Sequence, residues 1–384
     1  MDNKHIVEYA KIDSVVSSGK PIIIVLFPNY EDRSTGLVTS LFKQNKLEIH
    51  AQIDFLLFCL KNRTNNNNLL EDLKDNNIDK IKKVLVTPNV HEFWLEYPSN
   101  FSPNSLKAII HEMLESSRAK YGSSTDILLD ISTTPKSVLF QLCECVYDFI
   151  QLGLVGKVFF SYCLPEEYSK VPYAQDIGLI KGLFSGEALH FSNEQAINAI
   201  VIPSRSGHEG KLLCDTLDSI SKKTSYNVYF PIYTDDFIDS LHVLRANQTL
   251  IDRESYYNYF YCTLDDAIKT IDEMFYKEYI RMQQILKVQS ASNEELETPP
   301  LTPQVYLVAP FGSKVFLPVA YFELLRLRSV DPELISIEIA NVKGFQYTSS
   351  YSLGGGGSDD GSHPISITNF ELNVEIFKNE KDFD

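Results

Sequence analysis

The stretch DILLDISTTPKSVLFQLCECVYDF, Asp126 to Phe149, decides how this chain is read. It opens with a short apolar strand, passes through a polar turn and ends in an amphipathic helix. Three other segments have the same form. They are PIIIVLFPNYEDRSTGLVTSLF from Pro21 to Phe42, AIVIPSRSGHEGKLLCDTLDSI from Ala199 to Ile220, and VYLVAPFGSKVFLPVAYFELLRL from Val305 to Leu327. A continuous apolar strand followed by a helix is the pattern of a parallel sheet covered on both faces.

The four segments are spaced as a repeat. Pro28 and Pro203 stand 175 positions apart, Lys136 and Lys314 178, and Gly178 and Gly354 176. Residues 105–120 and 264–286 each have apolar residues at helical spacing and lead into a loop-bearing strand. Thr263 and Asp266 stand close to a capping-box pattern before the second of these. The expected fold is α/β, with two pseudo-symmetric Rossmann-like halves and mainly parallel sheets. The halves are set at residues 1–190 and 191–384, with Ile365 to Phe377 as an edge strand of the second. Arg63 to Asn77, with its run of asparagines, reads as a polar insertion. Gln289 to Pro303, with three prolines, reads as a loop.

In open parallel sheets, ligands bind beyond the carboxyl ends of the strands. Helix N-termini there present free N–H groups that attract phosphate. The second loop, Asp130 to Ser137, holds four hydroxyls and one lysine. Ser132, Thr133 and Thr134 can donate to a phosphate, and Lys136 adds charge. The same residues also suit a capped turn, with Thr134 as N-cap, Pro135 as first helical residue and Lys136 in solvent. The third loop offers Arg205, Ser206, Gly207 and Lys211. Its glycines let backbone approach a ligand, and an arginine can grip phosphate in a bidentate fork. His208 and Glu209 are the acid–base candidates if there is chemistry; a flexible turn with solvated charges fits them equally. The first loop offers Tyr30 for stacking and Arg33 for charge. The fourth offers Gly312, Ser313 and Lys314.

Composition narrows the function classes. The apolar fraction of 44% and charged fraction of 22% are those of a globular protein rather than a disordered one. A net charge of −16 with no basic run argues against duplex nucleic acid and anionic membranes as partners. Cys59, Cys143, Cys145, Cys163, Cys214 and Cys262 form no CxxC pair and no zinc spacing, so no metal site is expected. They read as reduced thiols of a cytoplasmic protein. The N-terminus carries no apolar signal core, and no apolar run is long enough to span a bilayer. GxxxxGK[ST], GxGxxG after the first strand, HExxH and GxSxG are all missing, which lowers the odds of an ATPase, a dinucleotide-dependent dehydrogenase, a zinc protease or an ordinary α/β-hydrolase. No cofactor is implied.

The turn Asp130-Ile-Ser-Thr-Thr-Pro-Lys136 resembles the D-[apolar]-T-G-G-T-K turn of CRISPR-associated Rossmann-fold (CARF) domains. Lys136 takes the place of the family lysine, and Ser132, Thr133 and Thr134 occupy the T-G-G stretch, without its two glycines. Two such units in one chain, over roughly residues 20–180 and 197–354, resemble the related SAVED domains. The resemblance implies a sensor of a cyclic oligonucleotide or another phosphorylated small molecule in antiviral defence, signalling to an effector protein. Two other readings stay open. One is an enzyme acting on a nucleotide or phosphorylated sugar, of phosphoribosyltransferase or phosphodiesterase type. The other is a scaffold subunit that keeps the fold without a ligand.

Overall fold

The computed structural model describes residues 7–11, 15–16, 19–44, 52–62, 68–85, 89–97, 102–164, 167–168, 180–182, 191, 196–203, 207–220, 224–233, 237–252, 256–262, 304–312, 314–328, 335–342, 352–353 and 367–375, with scattered helical positions between 269 and 288. The chain divides into two compact units. The first is Met1–Pro172 with Thr348–Asp384, and the second is Tyr173–Tyr347.

The first unit holds β1 (Val7–Tyr9), β2 (Ile22–Leu26), β3 (Ile53–Asn62), β4 (Val90–Tyr97), β5 (Thr125–Asp130), β6 (Val155–Cys163) and β7 (Glu167–Tyr168). The second holds β8 (Ile180–Gly182), β9 (Ala196–Ile202), β10 (Thr224–Tyr233), β11 (Tyr256–Cys262), β12 (Gln304–Pro310) and β13 (Ile335–Val342). β14 (Ser352–Leu353) and β15 (Ile367–Leu372) return to the first unit. β14 pairs with β7 in a two-stranded ribbon.

The first sheet runs β1-β15-β6-β5-β2-β3-β4, and its five strands from β6 to β4 are parallel. The second runs β11-β10-β9-β12-β13-β8, and its five from β11 to β13 are parallel. Each unit therefore repeats one order. The first parallel strand lies at the centre, the next two extend to one side, and the last two extend to the other. An antiparallel strand then follows the fifth, β15 on β6 and β8 on β13. This is a mainly parallel, Rossmann-like α/β architecture in both units.

Apolar continuity drives the central strands. Every residue of β2 and β5 is buried. Ile22, Ile24 and Leu26 join Leu37, Val38, Phe55 and Leu57 in one core of the first unit. Val201, Val228, Phe230, Val305 and Leu307 form the matching layer of the second. Each such side chain contributes roughly 1.5–3 kcal/mol on leaving water. Caps fix the helix ends. Pro103 opens the helix Pro103–Tyr121, and Gly122 closes it at φ 71°, the asymmetry expected of Pro at the start and Gly at the end.

Three sequence expectations are corrected. Residues 68–77 are not a loop: they open the helix Asn68–Val84. Its inner stripe is Leu70, Lys74, Asn77, Ile78 and Ile81, all buried. Two of those are polar, so the apolar period was masked. The second correction concerns the C-terminal strand. β15 belongs to the first unit, not the second, and it is not an edge strand, because it lies between β1 and β6. Phe370 holds it there, stacked on Phe160 with ring centroids 5.1 Å apart. The division at 190/191 is displaced accordingly. The third is at Pro135, which is the N-cap with ψ 141°; Lys136 is the first helical residue. The Gly178 and Gly354 anchors, Thr263, Asp266 and the stretch Gln289–Pro303 lie outside the described residues.

Candidate functional site

In the first unit the chain leaves β2 toward β3, whereas β5 lies on the other side of β2. The loops after β2 and β5 thus flank the topological switch point, where open α/β sheets present ligand crevices. β9 and β12 define the same position in the second unit.

The β5 turn of the first unit is wired internally. Asp130 accepts from the Ser132 N–H at 3.0 Å and from the Ser132 hydroxyl. That hydroxyl also accepts from the Cys163 N–H at 2.9 Å, which ties β5 to the end of β6. The Thr133 hydroxyl donates to the Phe27 carbonyl at 2.8 Å, which ties β5 to β2. The Thr134 hydroxyl donates back to the Asp130 carbonyl at 2.8 Å. All three side chains are buried. Their hydroxyl protons are directed to protein acceptors rather than outward, which is the capped-turn side of the sequence reading. Lys136 is half-buried at the first position of the helix Lys136–Gln151. This helix start has no side-chain cap and no acid in its first turn, and a helix N-terminus carries partial positive charge on its N–H groups.

The β2 loop is likewise internal. Arg33 is 4% exposed. Its Nε donates to Glu31 at 2.7 Å and its Nη1 donates to the Tyr162 hydroxyl at 3.1 Å. Such a buried, paired guanidinium is a structural group; pulling it away would strand Glu31. Asn77 clamps this loop from the helix Asn68–Val84, donating to the carbonyls of Asn29 at 2.8 Å and Glu31 at 3.1 Å. Sequence reasoning missed Asn77, because it placed that residue at the end of an insertion. Tyr30 is half-buried. Burial, with Glu31 beside it, pushes its phenol up to about 12, so it stays neutral at ordinary pH.

Glycines shape the second unit's loops. Gly207 has φ 72°, and a Cβ there would overlap the carbonyl of Ala246. A Cβ on Gly210 would meet Leu250 and Asn247. A Cβ on Gly312 would lie 3.0 Å from the Pro203 carbonyl, and the Gly312 N–H donates to the Ile202 carbonyl at 2.9 Å. Gly207 and Gly312 thus allow the chain to approach itself, rather than a ligand. Ile202 stands where Phe27 stands in the first unit, and both carbonyls accept a bond from the opposite switch-point loop.

His208 and Lys211 are exposed, and Glu209 and Lys314 are half-exposed. His208 and Glu209 are successive residues of the helix His208–Ile220. Neighbours on a helix diverge by about 100°, so they do not form a facing acid–base pair. Arg205, Ser206 and Ser313 lie outside the described residues.

The five described cysteines, Cys59, Cys143, Cys145, Cys163 and Cys214, are free and buried. Burial pushes the Cys59 and Cys145 thiols up to about 12, which leaves them unreactive. Among the described residues no helix is long and apolar enough to cross a membrane. No family model and no curated protein matches the chain.

Proposed function

We propose that this chain binds a nucleotide-type phosphorylated ligand at its switch-point loops and passes that signal to a partner effector. The proposal keeps the likeness to CARF and SAVED sensors and treats the two units as copies of one fold. The single strand order repeated in both units supports that kinship. The observation that carries the ligand reading is the start of the helix Lys136–Gln151. It is uncapped, free of acid in its first turn, and begins with a lysine at the switch point. With Ser132, Thr133 and Thr134 committed inward, the contacts fall to main-chain N–H groups and Lys136.

The enzyme alternative rested on His208 and Glu209, and their divergence removes its pair. The test is a thermal-shift screen of the purified chain against cyclic oligonucleotides, mononucleotides and phosphoribosyl pyrophosphate. Ligand at 100 times its dissociation constant stabilises the fold by about 2.7 kcal/mol. Lys136→Ala then weakens binding about tenfold to a hundredfold, the equivalent of about 1.5–3 kcal/mol for a charged contact, with the melting temperature nearly unchanged. Binding untouched by this change sinks the reading.

A further inference from the structure

The second unit buries an ionisable cluster outside the proposed ligand site. Glu323 lies on the helix Phe316–Arg328, which follows β12, and it is 0% exposed. Asp272, from the helical residues that precede β12, is also 0% exposed. The two carboxyl groups are within hydrogen-bonding reach of each other. Arg326 Nη1 donates to Glu323 Oε1 at 3.1 Å. Its guanidinium lies 4.7 Å from the Tyr276 ring centroid and 4.8 Å from that of Tyr279. Among the described residues, none donates to Glu323 Oε2. Among the described residues, the strongest charged influences on Glu323 come from Asp272 on the facing helix and Arg326 on its own. Arg281, further along the facing helix, donates instead to the Tyr306 hydroxyl of β12 at 3.1 Å.

Two carboxylates in contact cannot both be ionised without strong repulsion, and burial raises the cost of each charge. Arg326, bonded to Glu323, is the cation that acts on this carboxyl. A proton on Glu323 Oε2 resolves both problems, because it turns an acceptor with no donor into a donor to Asp272.

We propose that Glu323 holds this proton and donates it to Asp272, and that its loss loosens the packing of the helix Phe316–Arg328 on the Asp272 helix. Burial first, and then the bond to Asp272, hold the Glu323 carboxyl well above the usual carboxylate range. The sign follows from linkage. A carboxyl raised in the folded state stabilises fully below its unfolded value, and that contribution fades as pH climbs through the folded value. The second unit is thus locked in acid and eased in base. Because the helix Phe316–Arg328 begins just after the β12 loop, the easing reaches the neighbourhood of Lys314.

Amide hydrogen exchange of the full chain, followed over peptides covering 316–328 from about pH 6 to about pH 9, tests this. Above the titration point, protection factors in the wild type fall by up to about tenfold per pH unit, the slope for one proton. Glu323→Gln, whose amide still donates to Asp272, keeps protection high and flat with pH. Asp272→Asn, which relieves the carboxyl repulsion from the other side, shows the same flattening if Glu323→Gln fails to fold. Wild-type protection that does not fall, or a fall of equal size in the folded variants, overturns the proposal.

Discussion

The switch-point loops of the two units solve one geometric problem with different chemistry. In the first unit a threonine hydroxyl crosses from the β5 loop to the Phe27 carbonyl. In the second a glycine N–H crosses from the β12 loop to the Ile202 carbonyl. The first loop is stiffened by side-chain bonds: Asp130 to Ser132, Ser132 to Cys163, Arg33 to Glu31 and Tyr162, and Asn77 to two carbonyls. The second is stiffened by close approach of backbone at Gly207 and Gly312. The difference teaches that strand order sets where the loops must meet, while residue chemistry is free to vary in how they are joined.

The steepest way to break the contrast is Gly207→Ala. A Cβ would strike the Ala246 carbonyl, and φ 72° is costly for alanine. Together these destabilise the second unit by about 3 kcal/mol or more. Urea unfolding measures it; a midpoint equal to wild type would show that this loop does not depend on glycine.

Thr133→Val probes the side-chain solution in the first unit. It keeps the shape, removes the donor to Phe27 and leaves a buried carbonyl short of a partner, at about 1–3 kcal/mol. The same unfolding experiment reads it. If the variant is as stable as the parent, the hydroxyl bridge is dispensable and the two loops differ less than their geometry suggests.

Asp126→Asn gives the smallest effect and sharpens the comparison at the opposite end of β5. Asp126 is 0% exposed, and the Lys157 backbone N–H lies beside its carboxyl. Burial raises its pKa, opposed by the Lys20 charge. Its stabilising contribution is complete below the unfolded value of about 3.9 and fades as pH rises through the folded value. The asparagine variant therefore melts close to wild type in acid and somewhat higher near neutrality. Melting curves at the two pH values check the sign; a variant that melts lower near neutrality contradicts it.

Much of the fold was legible because its central strands are buried on both faces. The runs before Pro28, Ile131, Pro203 and Phe311 have the pattern of parallel-sheet strands, and all four are. The helix Asn68–Val84 was not legible, because Lys74 and Asn77 occupy its inner stripe and hide the period. Their reason for being there is tertiary: Lys74 donates to the Leu60 carbonyl at 3.2 Å, and Asn77 clamps the β2 loop. Of the candidate site, sequence located the loops but not the direction of their side chains. Ser132, Thr133, Thr134 and Arg33 have the groups a phosphate would want, and the folded chain has taken them first.

The amino-acid order alone thus determined the strand–loop–helix units and their parallel character, since those follow from local apolar runs and periods. Only the tertiary structure decided which strand each chain end joins, since β15 finds β6 from about two hundred residues away. It also decided which polar groups remain available. Hydrogen bonds such as Thr133 to Phe27 join residues distant in sequence, and a donor's partner is set by what folding brings within about 3 Å.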